Sequence, residues 1–263
     1  MKALPLTISG VFLVASLGLA ESSLTVGDGK INGSYLKPYD LSWHQCMKTD
    51  DNWQAGLRLR EELVQIGPHV LRHKQVTTGP DGTLNHSVVF HDRSSFAPLR
   101  MEREAQNPNQ ATVHMTHTLT QSGYSGTARQ GDKQKSLSGK VSSRMLHGAN
   151  MGLPLATLDW QDEPLSFPAS MIGFDGTYTV TATWAGKDEL THDGENLEAW
   201  MIDVHWLHHE SGDIYAAGPD ENGGRYWVVR HPPEGFPYVP RYQTDTYLVE
   251  FSGETCANAQ TED

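Results

Sequence analysis

The chain lacks the long hydrophobic run of a membrane protein and the positive charge of a nucleic-acid-binding protein. Its longest apolar stretch lies within Ala3–Leu17, which is shorter than the ~18 residues that a membrane-spanning helix requires. The formal net charge is −12, so we expect no binding to nucleic acid or to an anionic membrane surface. These absences predict a protein without a membrane span.

The short motifs of common enzyme classes are also absent. There is no Gly-x-Ser-x-Gly segment of a serine hydrolase, no phosphate-binding loop, no dinucleotide fingerprint and no Cys-x-x-Cys pair. A carboxylate pair for glycoside hydrolysis leaves no such motif, because its two groups come together only in the folded chain. Whether the protein is an enzyme is therefore open from its sequence.

Cysteine is scarce as well, since Cys46 and Cys256 are the two in the chain. In an oxidising compartment two such residues usually pair, and neither stands in a reactive-thiol motif. We expect a Cys46–Cys256 disulfide, which closes a long loop and in the chain-entropy account stabilises the fold by ~4–5 kcal/mol. Two free thiols are the alternative.

The first 20 residues have the three parts of a secretory signal peptide. Lys2 is positive, an apolar stretch follows, and Gly18 and Ala20 place small side chains at the cleavage positions. We expect cleavage near Ala20 and a periplasmic or secreted mature protein. Glu21 stands where a bacterial lipoprotein has cysteine, so no lipid anchor is expected. An uncleaved N-terminal anchor is the alternative.

Composition favours a turn-rich β fold over long helices, because charged residues are only 20% of the chain and there are 25 glycines and 14 prolines. We divide the chain into a signal peptide at 1–20, a flexible leader and covering segment at 21–51, a single β domain at 52–256 and a disordered tail at 257–263. The covering segment is predicted to be a short helix or a loop.

Alternation of apolar and polar residues indicates β-strands along most of the chain. The clearest case is Thr177–Trp184, in which threonines alternate with aromatic and small apolar residues. The threonines are expected to face water, and Tyr178 and Trp184 to face the core. The same pattern is found at 113–119, 200–206 and 247–251.

Turn residues separate these strands. Gly79–Gly82 predicts a hairpin between strands at Val70–Thr77 and Leu84–His91. Residues 52–66 fit either a helix or a strand, and we favour the strand because strands follow it.

Three further segments complete the predicted layout. The polar residues 128–140 predict an exposed loop, Leu153–Leu158 predicts a short helix, and the proline-rich residues 231–240 predict a stiff crossing segment. About ten antiparallel strands in a mainly β domain imply a curved sheet, a half-barrel or a barrel, with one or two short helices. A barrel of more than about eight strands leaves room for a ligand.

Three segments place a proline beside a predicted strand: His91–Leu99, Gly152–Trp160 and Tyr226–Tyr242. Together with the signal peptide, this layout resembles a group of uncharacterised bacterial periplasmic proteins with a barrel-like antiparallel sheet, and more loosely the lipoprotein carriers and the lipocalins. The resemblance covers most of residues 55–251. It implies a fold and a compartment, with binding or carriage as the role, and it transfers no catalytic residue.

Aromatic side chains are the first candidates for a ligand site. Tyr178, Trp184, Trp206 and Trp227 are predicted to line a cavity for an apolar or sugar-like small ligand. Arg241 is a candidate for holding a carboxylate or phosphate group. The alternative is that the aromatic side chains fill the core and that Arg241 pairs with an acidic residue.

Histidine is abundant, with 13 in the chain. By alternation, His86, His117 and His208 lie on the apolar faces of their strands. If those faces meet, three imidazoles can hold zinc or transfer protons. A second metal candidate is the strand face that carries Asp203, His205 and His209. Unless one of these sets converges, no cofactor is expected.

We therefore predict an exported, soluble cell-envelope protein that binds or carries an apolar or sugar-like small ligand. One alternative is a metal-assisted or acid/base enzyme, a hydrolase or lyase, that uses a histidine cluster. Another is a structural or assembly protein that acts through its surface. The sequence does not determine the oligomeric state.

Overall fold

The computed structural model describes residues 22–49, 52–120, 122–139, 145–147, 151–160, 163–170, 178–192, 194–208, 214–215, 224–244 and 247–251. These ranges contain 17 strands, the helix α1 at Gly152–Thr157 and a 3-10 turn at Gly33–Tyr35. The strands are β1 Ser22–Ser23, β2 Tyr39–Thr49, β3 Asn52–Ile66, β4 Val70–Thr78, β5 Leu84–Asp92, β6 Pro98–Gln106, β7 Val113–Leu119, β8 Tyr124–Gln130, β9 Lys133–Gly139, β10 Leu146–His147, β11 Leu165–Ser170, β12 Tyr178–His192, β13 Glu195–His208, β14 Ile214–Tyr215, β15 Gly224–Val228, β16 Arg241–Gln243 and β17 Tyr247–Glu250.

All of these strands belong to one sheet. The order across it is β10, β11, β12, β13, β15, β16, β17, β2, β3, β4, β5, β6, β7, β8 and β9, with β1 beside β11 and β14 beside β13. Neighbours are antiparallel, except that the two-residue strands β1 and β10 run parallel to β11. Within the described ranges β9 pairs with β8 alone, so the sheet is not closed.

The sheet curves around one apolar core. Leu63 of β3 and Leu71 of β4 belong to the same buried cluster as Val180 of β12, Ile202 of β13 and Phe167 of β11. These strands are far apart in the sheet order, so they share a cluster only because the sheet bends around it. We call the side of the sheet that carries these residues the core face.

Helix α1 fills part of the space that the sheet encloses. Its residues Leu155 and Ala156 are fully buried. The last turn of a helix leaves carbonyl groups without intrahelical partners. Here the Tyr35 hydroxyl donates a hydrogen bond to the Ala156 carbonyl, and the Trp160 indole donates one to the Leu155 carbonyl at 3.0 Å. The helix is therefore both packed and capped by aromatic side chains.

The segment before β2 also lies in the core. Leu24, Val26, Ile31 and Leu36 are buried there, each at most 4% exposed. The prediction of a flexible leader is therefore wrong for these residues. They are the apolar positions in an otherwise polar, glycine-containing segment, and their burial explains why it is ordered against the sheet.

A smaller apolar cluster covers the opposite face of β12, β13 and β15. Phe236 packs there with Trp227, Val229 and Ala199. The Val229 amide donates to the Tyr238 carbonyl at 2.8 Å, which fastens the segment 231–240 across the sheet. The predicted crossing segment is confirmed, since residues 231–240 form no strand. The reason is that prolines lack the backbone amide hydrogen that strand pairing requires.

The predicted fold class is confirmed: the chain is mainly β, with one open, curved antiparallel sheet and a short helix. The strand interpretation of residues 52–66 is correct, and the Gly79–Gly82 hairpin joins β4 and β5 as expected. In β12 the residues Tyr178, Val180 and Ala182 are buried and the intervening threonines are less so.

The described part also contains no helix long and apolar enough to cross a membrane.

Three expectations need correction. The sheet has more than ten strands, since 17 are found and only β1, β10 and β14 are as short as two residues. Residues 39–49 form strand β2 rather than a helix or a loop. The loop predicted at 128–140 is wrong for its described residues 128–139, because they contain the end of β8 and all of β9. Both faces of β9 are largely exposed, so it has no apolar alternation to reveal it.

Leu155→Ala is expected to lower the free energy of unfolding by about 2–5 kcal/mol, because it leaves a cavity where α1 fills the core. The matched control is Leu99→Ala, since Leu99 is 38% exposed and its loss is expected to cost less than about 0.5 kcal/mol. Urea denaturation followed by circular dichroism measures both. Equal effects of the two substitutions would show that α1 is not part of the cooperative core.

Candidate functional site

The core face of the N-terminal strands carries a row of side chains that includes two buried histidines. Strand register aligns one residue from each strand, and residues opposite one another in a sheet share a face. From β2 to β9 the row is Tyr39, Leu63, His73, Val89, Met101, His117, Gly126 and Leu137.

Near one end of this row, Glu61 and His73 form a buried pair. His73 is 1% exposed and Glu61 is 8% exposed. Nε2 of His73 lies 2.5 Å from Oε1 of Glu61, and the Tyr39 hydroxyl donates to the same oxygen at 3.0 Å. Burial and the neighbouring Glu61 carboxylate raise the pKa of Tyr39 well above its ordinary value, so Tyr39 stays protonated and able to donate.

The second ring nitrogen of His73 has no hydrogen-bond partner among the residues that the structure describes. Its Nδ1 is buried and makes no hydrogen bond within the described ranges. A buried polar atom left in this state costs roughly 1–3 kcal/mol. Such an atom is unusual in a native fold and calls for a water molecule or a ligand atom nearby.

His117 is the second buried histidine of the row. It is 7% exposed, its ring lies 4.7 Å from that of Tyr124, and its Nε2 also has no hydrogen-bond partner among the described residues. Burial lowers the pKa of His117 from its ordinary value of 6.5, so the ring is neutral at pH 7. Gly126 keeps the neighbouring strand close, since a side chain there would lie 1.8 Å from the Thr116 carbonyl oxygen and 3.0 Å from the His117 ring.

Two apolar side chains separate the imidazoles of His73 and His117. Val89 and Met101 lie between His73 and His117 in the row. Three strand spacings place the two histidines roughly 14 Å apart. The adjacent row on the same face carries half-buried residues, mostly polar: Gln75, Ser87, Arg103 and Met115. We call this region, from Glu61 and His73 to His117 and Tyr124, the imidazole row.

The predicted aromatic ligand site is divided between the two faces of the sheet. Tyr178 and Trp206 pack edge to face in the main core with ring centroids 5.9 Å apart, and Trp184 packs partly buried against the same cluster. Trp227 belongs instead to the cluster on the opposite face. These four side chains therefore do not line one cavity.

Arg241 also lies on that opposite face. It pairs with Glu250 at 2.7 Å, and its guanidinium sits over the Trp227 ring at 5.1 Å. The indole Nε1 of Trp227 donates to Asp188 at 2.7 Å. Arg241 thus has the acidic partner that was the alternative to a ligand-binding role.

The expected convergence of His86, His117 and His208 does not occur for the first two. His86 pairs across the strands with Glu104, whereas Met101 pairs with His117, so the two imidazoles lie on opposite faces of the sheet. The side chain of His208 lies outside the described part of the structure. Burial and the nearby Lys74 charge lower the pKa of His86.

In the second candidate metal set, Asp203 is bound to an arginine instead. Asp203 forms a two-point ion pair with Arg225 at 2.7 and 2.9 Å, which occupies both carboxylate oxygens. His205 shares its strand, and His209 lies outside the described residues. In the ranges that are described, no group of three or more His, Cys, Asp or Glu side chains is arranged to hold a metal ion.

Cys46 is 3% exposed in β2. Cys256 and the signal peptide at 1–20 lie outside the described residues, so the disulfide and the cleavage site stay predictions.

Glu61, His73 and Tyr39 were not among the residues predicted for a site. The signal for Glu61 was present in the sequence, because it stands between Leu59 and Leu63 in the apolar phase of β3. A charged residue in that phase must be buried with a partner. The partner itself could not be read from the sequence, because it depends on the register between β3 and β4.

His117→Gln is expected to flatten the acid side of the stability profile. Because burial lowers the native pKa of His117, the unfolded chain binds a proton there first as the pH falls below about 6.5, and unfolding becomes easier. The free energy of unfolding, measured by urea titration, should fall less between pH 7 and pH 5 in the variant than in the wild type. The exposed His69→Gln is the control and should keep the wild-type slope; parallel profiles for all three proteins would contradict the expectation.

Comparison with known proteins supports the fold. No family model and no curated protein sequence matches the chain. The structure is similar to the crystal structure of a beta-barrel-like protein of domain of unknown function DUF1849 from Brucella abortus, with a TM-score of 0.51, 8% sequence identity and coverage of 82% of this chain and 98% of that one. At this identity the likeness shows the fold alone. The resemblance to uncharacterised barrel-like β proteins is thereby confirmed.

Proposed function

We propose that this is an exported, soluble cell-envelope protein that binds or carries a small ligand on the imidazole row. The ligand has an apolar or sugar-like body with hydrogen-bonding groups. The predicted signal peptide supports the compartment, and the open, curved sheet supports a binding role, since such a sheet offers a concave face.

The observation that carries the proposal is that two buried imidazole nitrogens on this row, Nδ1 of His73 and Nε2 of His117, make no hydrogen bond among the described residues. A ligand that hydrogen-bonds to both would remove two unsatisfied groups and would gain more from each bond than it does in water, because the site is partly desolvated. Between them lie Val89 and Met101, which are buried in a small apolar cluster against which the body of the ligand would have to pack.

The Glu61 carboxylate has a positioning role in this proposal. It contacts Nε2 of His73 and so fixes the orientation of the imidazole ring, including Nδ1. A preorganised donor or acceptor binds with less loss of entropy than a mobile one.

The test is native mass spectrometry of protein expressed with its own signal sequence and recovered from the periplasm of a bacterial host. We expect the mass of residues 21–263, lower by two hydrogens for the Cys46–Cys256 disulfide, together with a non-covalent organic adduct. Met115→Arg is expected to remove the adduct, because it places a charge on the half-buried core face beside His117.

The matched control is Thr118→Arg on the same strand, since Thr118 is exposed on the other face. It should retain the adduct. An empty wild-type protein, or loss of the adduct in both variants, would contradict a ligand site on the imidazole row. An unprocessed chain in the cytoplasm would contradict export, and stoichiometric zinc in place of an organic adduct would favour a metal-dependent enzyme.

Acid/base catalysis on the bound ligand is a second candidate function, favoured by the Glu61–His73 contact. A carboxylate that orients an imidazole is the arrangement by which many enzymes prepare a general base. If the protein is such an enzyme, the recovered ligand should change mass on incubation with the wild type and remain unchanged with His73→Asn. An unchanged mass with both would leave binding or carriage as the function.

A further inference from the structure

A groove lies on the face of β2, β3 and β4 that points away from the core. Its volume is about 440 Å³. The residues that line it are Ser42, Trp43, His44, Arg58, Leu59, Arg60, Val76 and Thr78. None of these is acidic, although the chain carries a net charge of −12.

Strand register sorts the groove side chains into two rows. His44, Arg58 and Thr78 lie opposite one another in the first. Ser42, Arg60 and Val76 form the second. All six share one face, because alternate residues of a strand point the same way. This face is opposite to the one that carries Glu61 and His73, so the groove is separate from the imidazole row.

The two arginines differ in how they are engaged. Arg60 is held by Asp40, with its Nε 2.8 Å from the carboxylate, and this contact lowers the pKa of Asp40. Arg58 is exposed and makes no hydrogen bond or ion pair with any residue in the described ranges. The same holds for the side chains of Ser42, His44 and Thr78 in those ranges. The groove therefore combines one anchored guanidinium, one unengaged guanidinium and three unused polar groups.

We propose that this groove binds a phosphomonoester group. Arg58 and Arg60 are two residues apart on one strand, so their backbone positions are roughly 6.7 Å apart, close enough for both guanidinium groups to approach one anion. The unengaged Arg58 guanidinium can form charge-assisted, two-point hydrogen bonds with phosphate oxygens. Nε and Nη2 of Arg60 are both bound to Asp40, so Arg60 contributes through its remaining nitrogen. Ser42, His44 and Thr78 are within the same groove and add further donors.

A phosphomonoester fits this donor set better than a carboxylate does. A carboxylate has two oxygens, which one guanidinium satisfies, whereas a phosphomonoester has three terminal oxygens and a charge near −2 at neutral pH. Val76 shares the face of Arg60 and offers an apolar contact next to the charged groups, which suits an ester rather than inorganic phosphate. Two sources share this chemistry: a soluble phosphate ester and the headgroup of a phosphatidic acid.

The experiment is calorimetric titration of the mature protein with phenyl phosphate, with benzyl alcohol as the uncharged control. We expect binding of phenyl phosphate that weakens as salt rises, and none of benzyl alcohol. Arg58→Gln should weaken binding of phenyl phosphate at least about tenfold, since it removes the unengaged charge. Thr78→Glu, which puts a negative charge into the groove, should abolish it.

The matched control is Arg129→Gln, because Arg129 is an exposed arginine on β8 and lies outside the groove. It should bind phenyl phosphate as the wild type does. No binding by the wild type, or equal binding by wild type and Arg58→Gln, would overturn the proposal.

Co-sedimentation with vesicles containing phosphatidic acid then identifies the source. Sedimentation that Arg58→Gln abolishes would support a lipid headgroup, and binding of phenyl phosphate without sedimentation would support a soluble ester. Because the groove lies on the face opposite to the imidazole row, Thr78→Glu should leave the adduct expected there unchanged. Failure of one proposal is therefore distinguishable from failure of the other.

Discussion

Burial of one face of a sheet that does not close is the constraint on which the rest of this structure depends. A closed barrel fills its interior from all sides, but in the described ranges no strand joins the two edges of this sheet. Helix α1 and residues 24–36 supply the missing apolar surface. The edge strand β9 is mostly exposed and carries Lys133 and Lys135, charges that disfavour pairing with the edge of another molecule.

The core face is filled unevenly. Over β11 to β13 it is aliphatic and aromatic, as expected where packing alone stabilises the fold. Over β3 to β7 it contains Glu61, His73 and His117, whose burial costs free energy that their contacts only partly offset. Buried polar and charged groups of this kind stabilise a fold less than apolar side chains of similar volume do. Their presence on one half of the face supports the proposal that this half binds a ligand, while the other half holds the sheet together.

Most strands could be predicted from the sequence, because period-two alternation depends only on a strand's own residues. The prediction failed at β9, which is polar on both faces, and at β2, where Trp43, His44 and Cys46 do not alternate cleanly. The site could not be predicted, because it depends on register. A shift of one residue between β6 and β7 would move His117 to the face of His86, and no single strand encodes that pairing.

Strand β3 brings two opposite electrostatic environments within one residue of each other. Arg60 points into an exposed groove, where water and salt screen its charge. Glu61 points into the core, where the low dielectric strengthens its bond to His73 but makes an unpaired charge costly. Alternation along a strand makes this separation possible without a wall between the sites. The backbone of β3 and its pairing with β4 are then the shared physical element, so any coupling between the two faces must pass through the register of these two strands.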